Sequence, residues 1–274
     1  MKTAKHTILL FIIAVFGLIA CKQKQTSQIR NDFKKYYDQF NVEGSFALYD
    51  PKADRYIFYH QDQFKKTFSP ASTFKICNSL IGLETGVIKD ESFVIPWDSV
   101  MRNPVWNKDH DLKTAFANST VWYYQELARR VGGKRMKYWL DKANYGNADT
   151  SGGIDKFWLE GGLRVSPYQQ IDFLQRLHEN QLPFSNRSTE ILKKIMVDKV
   201  TSSYVLRGKT GWGGQDHKEI GWFVGWLENT GQVYYFSNMV QMPDTSTNYV
   251  NFDAARKEIV YKILNDLKLT SNDE

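Results

Sequence analysis

Ser69-Pro70-Ala71-Ser72-Thr73-Phe74-Lys75-Ile76-Cys77-Asn78-Ser79-Leu80-Ile81-Gly82-Leu83 (residues 69–83) reads as the start and body of a helix. Ser69 stands in the capping position. Pro70 takes the first helical place, where its missing N–H costs nothing. The apolar run then carries the helix through Leu83 to a stop near Gly86. On its N-terminal side, residues 44–49 and 55–60 read as strands around the turn Asp50-Pro51-Lys52-Ala53-Asp54. Before them Ile29, Phe33, Tyr36, Tyr37 and Phe40 recur at helical spacing and predict an amphipathic opening helix. On its C-terminal side, residues 121–131, 167–180 (capped by Ser166) and 188–197 read as helices. Residues 204–209, 219–227 and 232–241 read as strands, the last two joined as a hairpin through Glu228-Asn229-Thr230-Gly231. A closing helix presents Phe252, Ala255, Ile259, Ile263 and Leu267 on one face.

Strands at both ends and helices between them predict an α+β fold. One antiparallel sheet is built from the two ends of the chain, flanked by the terminal helices, with an all-helical lobe inserted. The expected domain covers residues 29–270, with a mixed lobe from 29–65 and 200–270 and a helical lobe from 66–199. The cleft between the lobes is the expected site.

Residues 1–20 read as an export signal. Lys2 and Lys5 precede a 13-residue apolar run at 8–20, short of the roughly 20 residues needed to span a bilayer. Leu18-Ile19-Ala20-Cys21 resembles a lipobox, which implies lipidation of Cys21, a membrane anchor and a periplasmic location. Residues 21–28 are expected to be a polar tether. With Cys21 lipidated, Cys77 has no disulfide partner and is expected to be a buried small hydrophobe. The net charge of +6 falls to +4 without the two signal lysines. Basic residues are scattered among acids, so nucleic acid is not the expected partner. Oligomeric state has no motif here.

The chemistry starts at Ser72 and Lys75. Residues i and i+3 share a helix face, so the hydroxyl and the amine can meet without tertiary help. A serine needs a base to become a nucleophile, and the helix N-terminus adds free N–H groups beside a developing anion. Further on, Lys209-Thr210-Gly211 ends a strand, where a lysine and a hydroxyl could hold a carboxylate and the glycine admits a ligand close to the strand. Gly208-Lys209-Thr210 mimics the end of a phosphate-binding loop. That loop needs glycine at position 203, and Ser203 stands there. His6, His60, His110, His178 and His217 are too scattered for a metal site, and Asp109-His110-Asp111 reads as a surface turn. No metal is expected.

Ser-x-x-Lys followed about 130 residues later by Lys-Thr-Gly is the penicillin-recognising pair. With Ser119-Thr120-Val121, Trp122-Tyr123-Tyr124-Gln125, Tyr145-Gly146-Asn147, Phe157-Trp158-Leu159, Trp212 and Gly221-Trp222-Phe223-Val224-Gly225-Trp226, the mature chain resembles the class D (oxacillinase-type) serine β-lactamases. The resemblance implies that Ser72 is acylated by a β-lactam. It implies that Lys75 is N-carboxylated by carbon dioxide and serves as general base, the only cofactor-like requirement. It also implies that Ser119 passes a proton to the leaving nitrogen and that Trp158 donates to the carbamate. The N–H groups of Ser72 and Trp212 would form the oxyanion hole, and Lys209, Thr210, Gly211 and Arg256 would bind the substrate. Val121 and Leu159 would border the path of the deacylating water. Trp122 is read as core. Two rivals share the acylated serine: a β-lactam sensor that keeps the acyl group, and a cell-wall D,D-peptidase. Ser119-Thr120-Val121 and Trp158 argue against the peptidase, and the absence of several membrane spans argues against the sensor.

Overall fold

In the computed structural model, which describes residues 25–243 and 248–270, seven strands form one sheet. They are β1 (Thr26–Ile29), β2 (Glu43–Asp50), β3 (Arg55–Tyr59), β4 (Val197–Val200), β5 (Tyr204–Gln215), β6 (Lys218–Asn229) and β7 (Gln232–Gln241). The spatial order is β1-β3-β2-β7-β6-β5-β4. Every neighbouring pair is antiparallel except β1 with β3. Eight α-helices accompany the sheet among the described residues: α1 (Lys34–Asp38), α2 (Lys75–Glu84), α3 (Leu112–Ala117), α4 (Val121–Val131), α5 (Gly133–Ala143), α6 (Pro167–His178), α7 (Asn186–Ile195) and α8 (Tyr249–Asp266). The expected export signal, Cys21 and the first tether residues lie outside the described residues.

Strand β6 shows why the sheet sits at the centre. Its residues 220–227 are buried without a break, which a strand needs only when both faces are covered. Alternate side chains divide the core: Ile220, Trp222, Val224 and Trp226 pack with α2, α4 and α6, while Phe223 and Leu227 pack with Phe252, Ile259 and Ile263 of α8. Two hydrophobic layers therefore sandwich the sheet. The second also takes Phe33 and Tyr37 from the opening segment. Cys77 is buried as a free thiol in the first layer.

Several expectations are corrected. The tether was expected to run through residue 28 and the opening helix to begin at Ile29. Instead Thr26–Ile29 is an edge strand, exposed throughout and paired in parallel with Arg55–Phe58 of β3. Its attachment is backbone hydrogen bonding, which leaves no apolar pattern in the sequence. The opening helix contracts to α1 behind a 3-10 turn at Asn31–Phe33. The helix expected over 188–197 is α7, and Val197 instead starts β4. Strand β5 runs six residues past its expected end at Lys209, through the glycines. Helices α3 and α5 have no counterpart among the sequence expectations. His110 is 1% exposed and bridges Ile95, so it is no surface turn.

Candidate active site

The helix expected from Pro70 opens instead as a 3-10 turn at Ala71–Phe74 and becomes α-helical at Lys75. Three residues per turn stack positions i and i+3 directly over one another. Lys75 Nζ accordingly donates to Ser72 Oγ at 2.8 Å. It also donates to the Ser119 carbonyl at 2.6 Å and to Ser119 Oγ at 2.9 Å. Lys75 has no solvent exposure. Burial, with the nearby Lys209 charge second, holds its ammonium well below the usual lysine range. The shift favours the uncharged amine, the form that can accept a proton.

Ser119 reaches this position from the joint between α3 and α4, in a left-handed backbone conformation with φ of 52°. The joint is tied from outside by two indoles: Trp106 Nε1 donates to the Asn118 carbonyl, and Trp122 Nε1 donates to the Trp106 carbonyl. Trp122 is buried, as a core residue should be. Lys209 Nζ arrives from β5 and lies 3.1 Å from Ser119 Oγ and 3.0 Å from the Thr210 carbonyl. One hydroxyl thus links two buried amines. Burial, then the charges of Arg256 and Lys257, lowers Lys209 to about 7.

The strand carrying Lys209-Thr210-Gly211-Trp212 packs against the turn that carries Ser72. A Cβ on Gly211 would lie 3.0 Å from the Pro70 carbonyl and 3.1 Å from Thr73 Cγ2, so only glycine allows this approach without displacement. Strand β4 pairs only with Val205–Arg207, which leaves the edge of β5 from Lys209 onward without a neighbouring strand among the described residues. Arg256, on α8, lays its stem over Gly221 and donates from Nη1 to the Gly211 carbonyl at 3.2 Å. Its guanidinium sits 5.3 Å from the Trp212 ring centroid and pairs with Asp253. Burial lowers Arg256 to about 10. A cavity of about 540 Å³ opens beside Lys209, Thr210 and Arg256. Another of about 400 Å³ lies between Leu159 and the β5–β6 turn at Gln215. A larger one of about 680 Å³, around Gly44 and His60, lies away from these groups.

Trp158 is fully buried, its ring 5.3 Å from that of Phe74, next to Lys75. Its indole N–H finds no acceptor among the described residues. Leu159 and Val121 are half-buried, Val121 opening α4 two residues beyond Ser119. The loop bearing Trp158 is fastened by Tyr145-Gly146-Asn147. Asn147 donates to the Gly162 carbonyl and accepts from Arg164 N, and Tyr145 packs on Phe74.

Three residues make contacts at the site that the sequence reading did not assign. Ser69 is not a cap: its hydroxyl bonds the carbonyls of Trp158 and Leu159, its N–H the side chain of Gln215, and its carbonyl accepts from Trp222 Nε1. The ring of Tyr124 lies 5.4 Å from Lys75 Nζ. Gln170, fully buried on α6, donates to Thr73 Oγ1 at 2.8 Å. A glutamine among Pro167, Phe173 and Leu174 on a buried helix face was the available signal.

The family profile described as penicillin binding protein transpeptidase domain matches residues 25–265. β-Lactamase OXA-48 of Klebsiella pneumoniae is 36% identical over 261 residues, 95% of this chain and 97% of its own. The chain belongs to the class D β-lactamases. The crystal structure of a class D β-lactamase from Sebaldella termitidis ATCC 33386 superposes with a TM-score of 0.84 at 35% identity, covering 90% of this chain and 99% of that one. The C-terminal domain of the Bacillus licheniformis BlaR penicillin-receptor gives a TM-score of 0.82 at 28% identity, covering 90% and 98%. The class D assignment agrees with the α+β fold: a seven-stranded sheet with helices on both faces.

Proposed function

We propose that the protein hydrolyses the β-lactam amide of penicillin-type antibiotics through an acyl-enzyme on Ser72. The observation that carries this reading is the buried amine of Lys75, 2.8 Å from Ser72 Oγ and 2.9 Å from Ser119 Oγ. Ser72 Oγ attacks the lactam carbonyl as Lys75 takes its proton, and Ser119 hands a proton to the departing ring nitrogen. The N–H groups of Ser72 and Trp212 are assigned to the developing oxyanion, a role in which one donor is worth about 3 kcal/mol. The tight packing of Gly211 on the 70–73 turn supports that pairing. Lys209, Thr210 and Arg256 are assigned to the substrate carboxylate, and Val121 and Leu159 to the walls along which water enters.

An uncharged amine reacts with carbon dioxide, whereas an ammonium does not. The unpartnered N–H of Trp158 fits a carboxylated Lys75, because a buried anion requires a donor. Such a group would supply a carboxylate base where the amine now stands. Similarity to the BlaR receptor domain favours a second reading, a sensor acylated without turnover. Turnover of a chromogenic cephalosporin by protein lacking residues 1–21, with and without bicarbonate, separates the two. Sustained hydrolysis that rises with bicarbonate is expected, and a single stoichiometric burst would establish the sensor instead.

A pH dependence follows from the two amines. Lys75 must be uncharged to accept a proton, so kcat/KM rises with pH through its lowered range. Lys209 must be charged to hold a carboxylate, so kcat/KM falls as pH passes about 7. Lys209→Arg keeps its charge at all working pH. Its profile, measured with a penicillin, is expected to lose the falling limb.

We also propose that the protein is exported and held at a bacterial membrane through lipid on Cys21. Labelled palmitate fed to expressing cells is expected to enter the parent and not Cys21→Ser. Equal labelling would remove the anchor.

A further inference from the structure

We propose that Gln170 is a positioning residue for the nucleophile, acting from α6 through Thr73 on the turn that aims Ser72. The inference rests on the reading of Ser72 as the acylated serine. Ala71, directly before Ser72, has φ of 46°, a left-handed conformation that a residue with a side chain adopts only under constraint. Such strain persists only where neighbours over-determine it. On one side the constraint is β5, where Gly211 lies against the Pro70 carbonyl and Thr73. On the other side it is a chain of two hydrogen bonds. Gln170 Nε2 donates to Thr73 Oγ1 at 2.8 Å, and Thr73 Oγ1 donates to the Pro70 carbonyl at 2.7 Å. The same carbonyl also accepts from Thr73 N at 3.1 Å.

Gln170 and Thr73 are both fully buried, so no solvent competes for these bonds. Thr73 Oγ1 spends its one proton on Pro70 and still accepts from Gln170. Loss of Gln170 frees that hydroxyl to rotate and leaves Pro70-Ala71 held mainly by backbone. Gln170 is 97 residues away in sequence, anchored by Ile171, Phe173 and Leu174 in the core behind α2. Helix α6 therefore fixes the attack geometry of a serine to which it contributes no reacting atom.

The test is single-turnover acylation by a penicillin, followed by stopped flow and by the mass of the acylated protein. Gln170→Met and Thr73→Val are each expected to slow acylation by about 10- to 100-fold, the cost of a small misplacement of a reacting group. Substrate affinity and the folded fraction at the assay temperature should stay at parental values; a merely unstable protein would lose folded fraction instead. Thr73→Ser, which keeps the hydroxyl, should restore the rate, and the double variant should be no slower than the slower single one. Acylation by Gln170→Met within about twofold of the parent overturns the proposal, as do effects that multiply in the double variant. Should Gln170→Met fail to fold, equal rates for Thr73→Ser and Thr73→Val overturn it. A parent that is never acylated on Ser72 sinks the proposed function instead.

Discussion

Replacing Lys75 with alanine is expected to lower β-lactam turnover by at least about ten-thousand-fold while leaving the protein folded. The side chain donates to Ser72 and twice to Ser119, and no other basic group among the described residues touches Ser72 Oγ. Its removal takes away the proton acceptor and the link between the two hydroxyls together. Effects on groups that act as one unit do not add, so Lys75→Ala combined with Ser119→Ala should be little worse than Lys75→Ala alone. Stability should move differently. In the folded state burial keeps Lys75 uncharged well below the usual range, whereas the unfolded chain protonates it near about 10.5. Between those values the unfolded state binds more protons. The parent therefore gains stability as pH rises toward about 10.5 and loses it as pH falls toward the lowered folded value. Alanine has no such titration. Thermal melts of Lys75→Ala should improve relative to the parent as pH is lowered through that window, against a constant cost for the cavity left behind. A variant that still turns over substrate at the parental rate would remove Lys75 from the mechanism.

What the sequence made legible follows from how local each signal is. Val121–Val131 appears with its expected bounds because a single amphipathic period is closed by Gly132. Ser166, with Pro167 and Gln169, forms a complete capping box. Ser72 and Lys75 meet because they stand three positions apart on one helical turn. The rest depends on tertiary pairing. β1 has no buried residue to announce it. β5 continues through Gly211, Gly213 and Gly214 because β6 pairs with it to Gln215, although glycine disfavours strands. Ser69 looks like a helix cap in sequence, and the 3-10 start frees its hydroxyl for the loop of Trp158 and Leu159. The approach of Arg256 to Gly211 requires the closing helix to lie over β6 at Gly221, where a side chain would strike the arginine stem. No spacing along the chain encodes that contact.

Trp158→Phe is expected to slow deacylation by about 10- to 100-fold and to abolish the response to bicarbonate, with little loss of fold. The ring lies within the core, edge-on to Phe157 at 5.0 Å, and its N–H has no partner among the described residues. A buried donor left unsatisfied costs about 1–3 kcal/mol, so removing it offsets much of the packing lost with the smaller phenyl ring. Nothing in the packing requires that N–H, which points to chemistry as the reason for it. If it serves a carboxylate formed on Lys75, the parent gains a charge-assisted bond of about 1.5–3 kcal/mol that phenylalanine cannot supply. Binding to the folded state alone raises stability by mass action. Bicarbonate should therefore raise the Tm of the parent and leave that of Trp158→Phe unchanged, a readout independent of turnover. In the same variant, mass spectrometry should find acylated Ser72 accumulating during hydrolysis, because water attack slows more than ring opening. A variant that keeps both the Tm shift and the parental deacylation rate would leave the indole N–H as an unsatisfied core group with no part in the reaction.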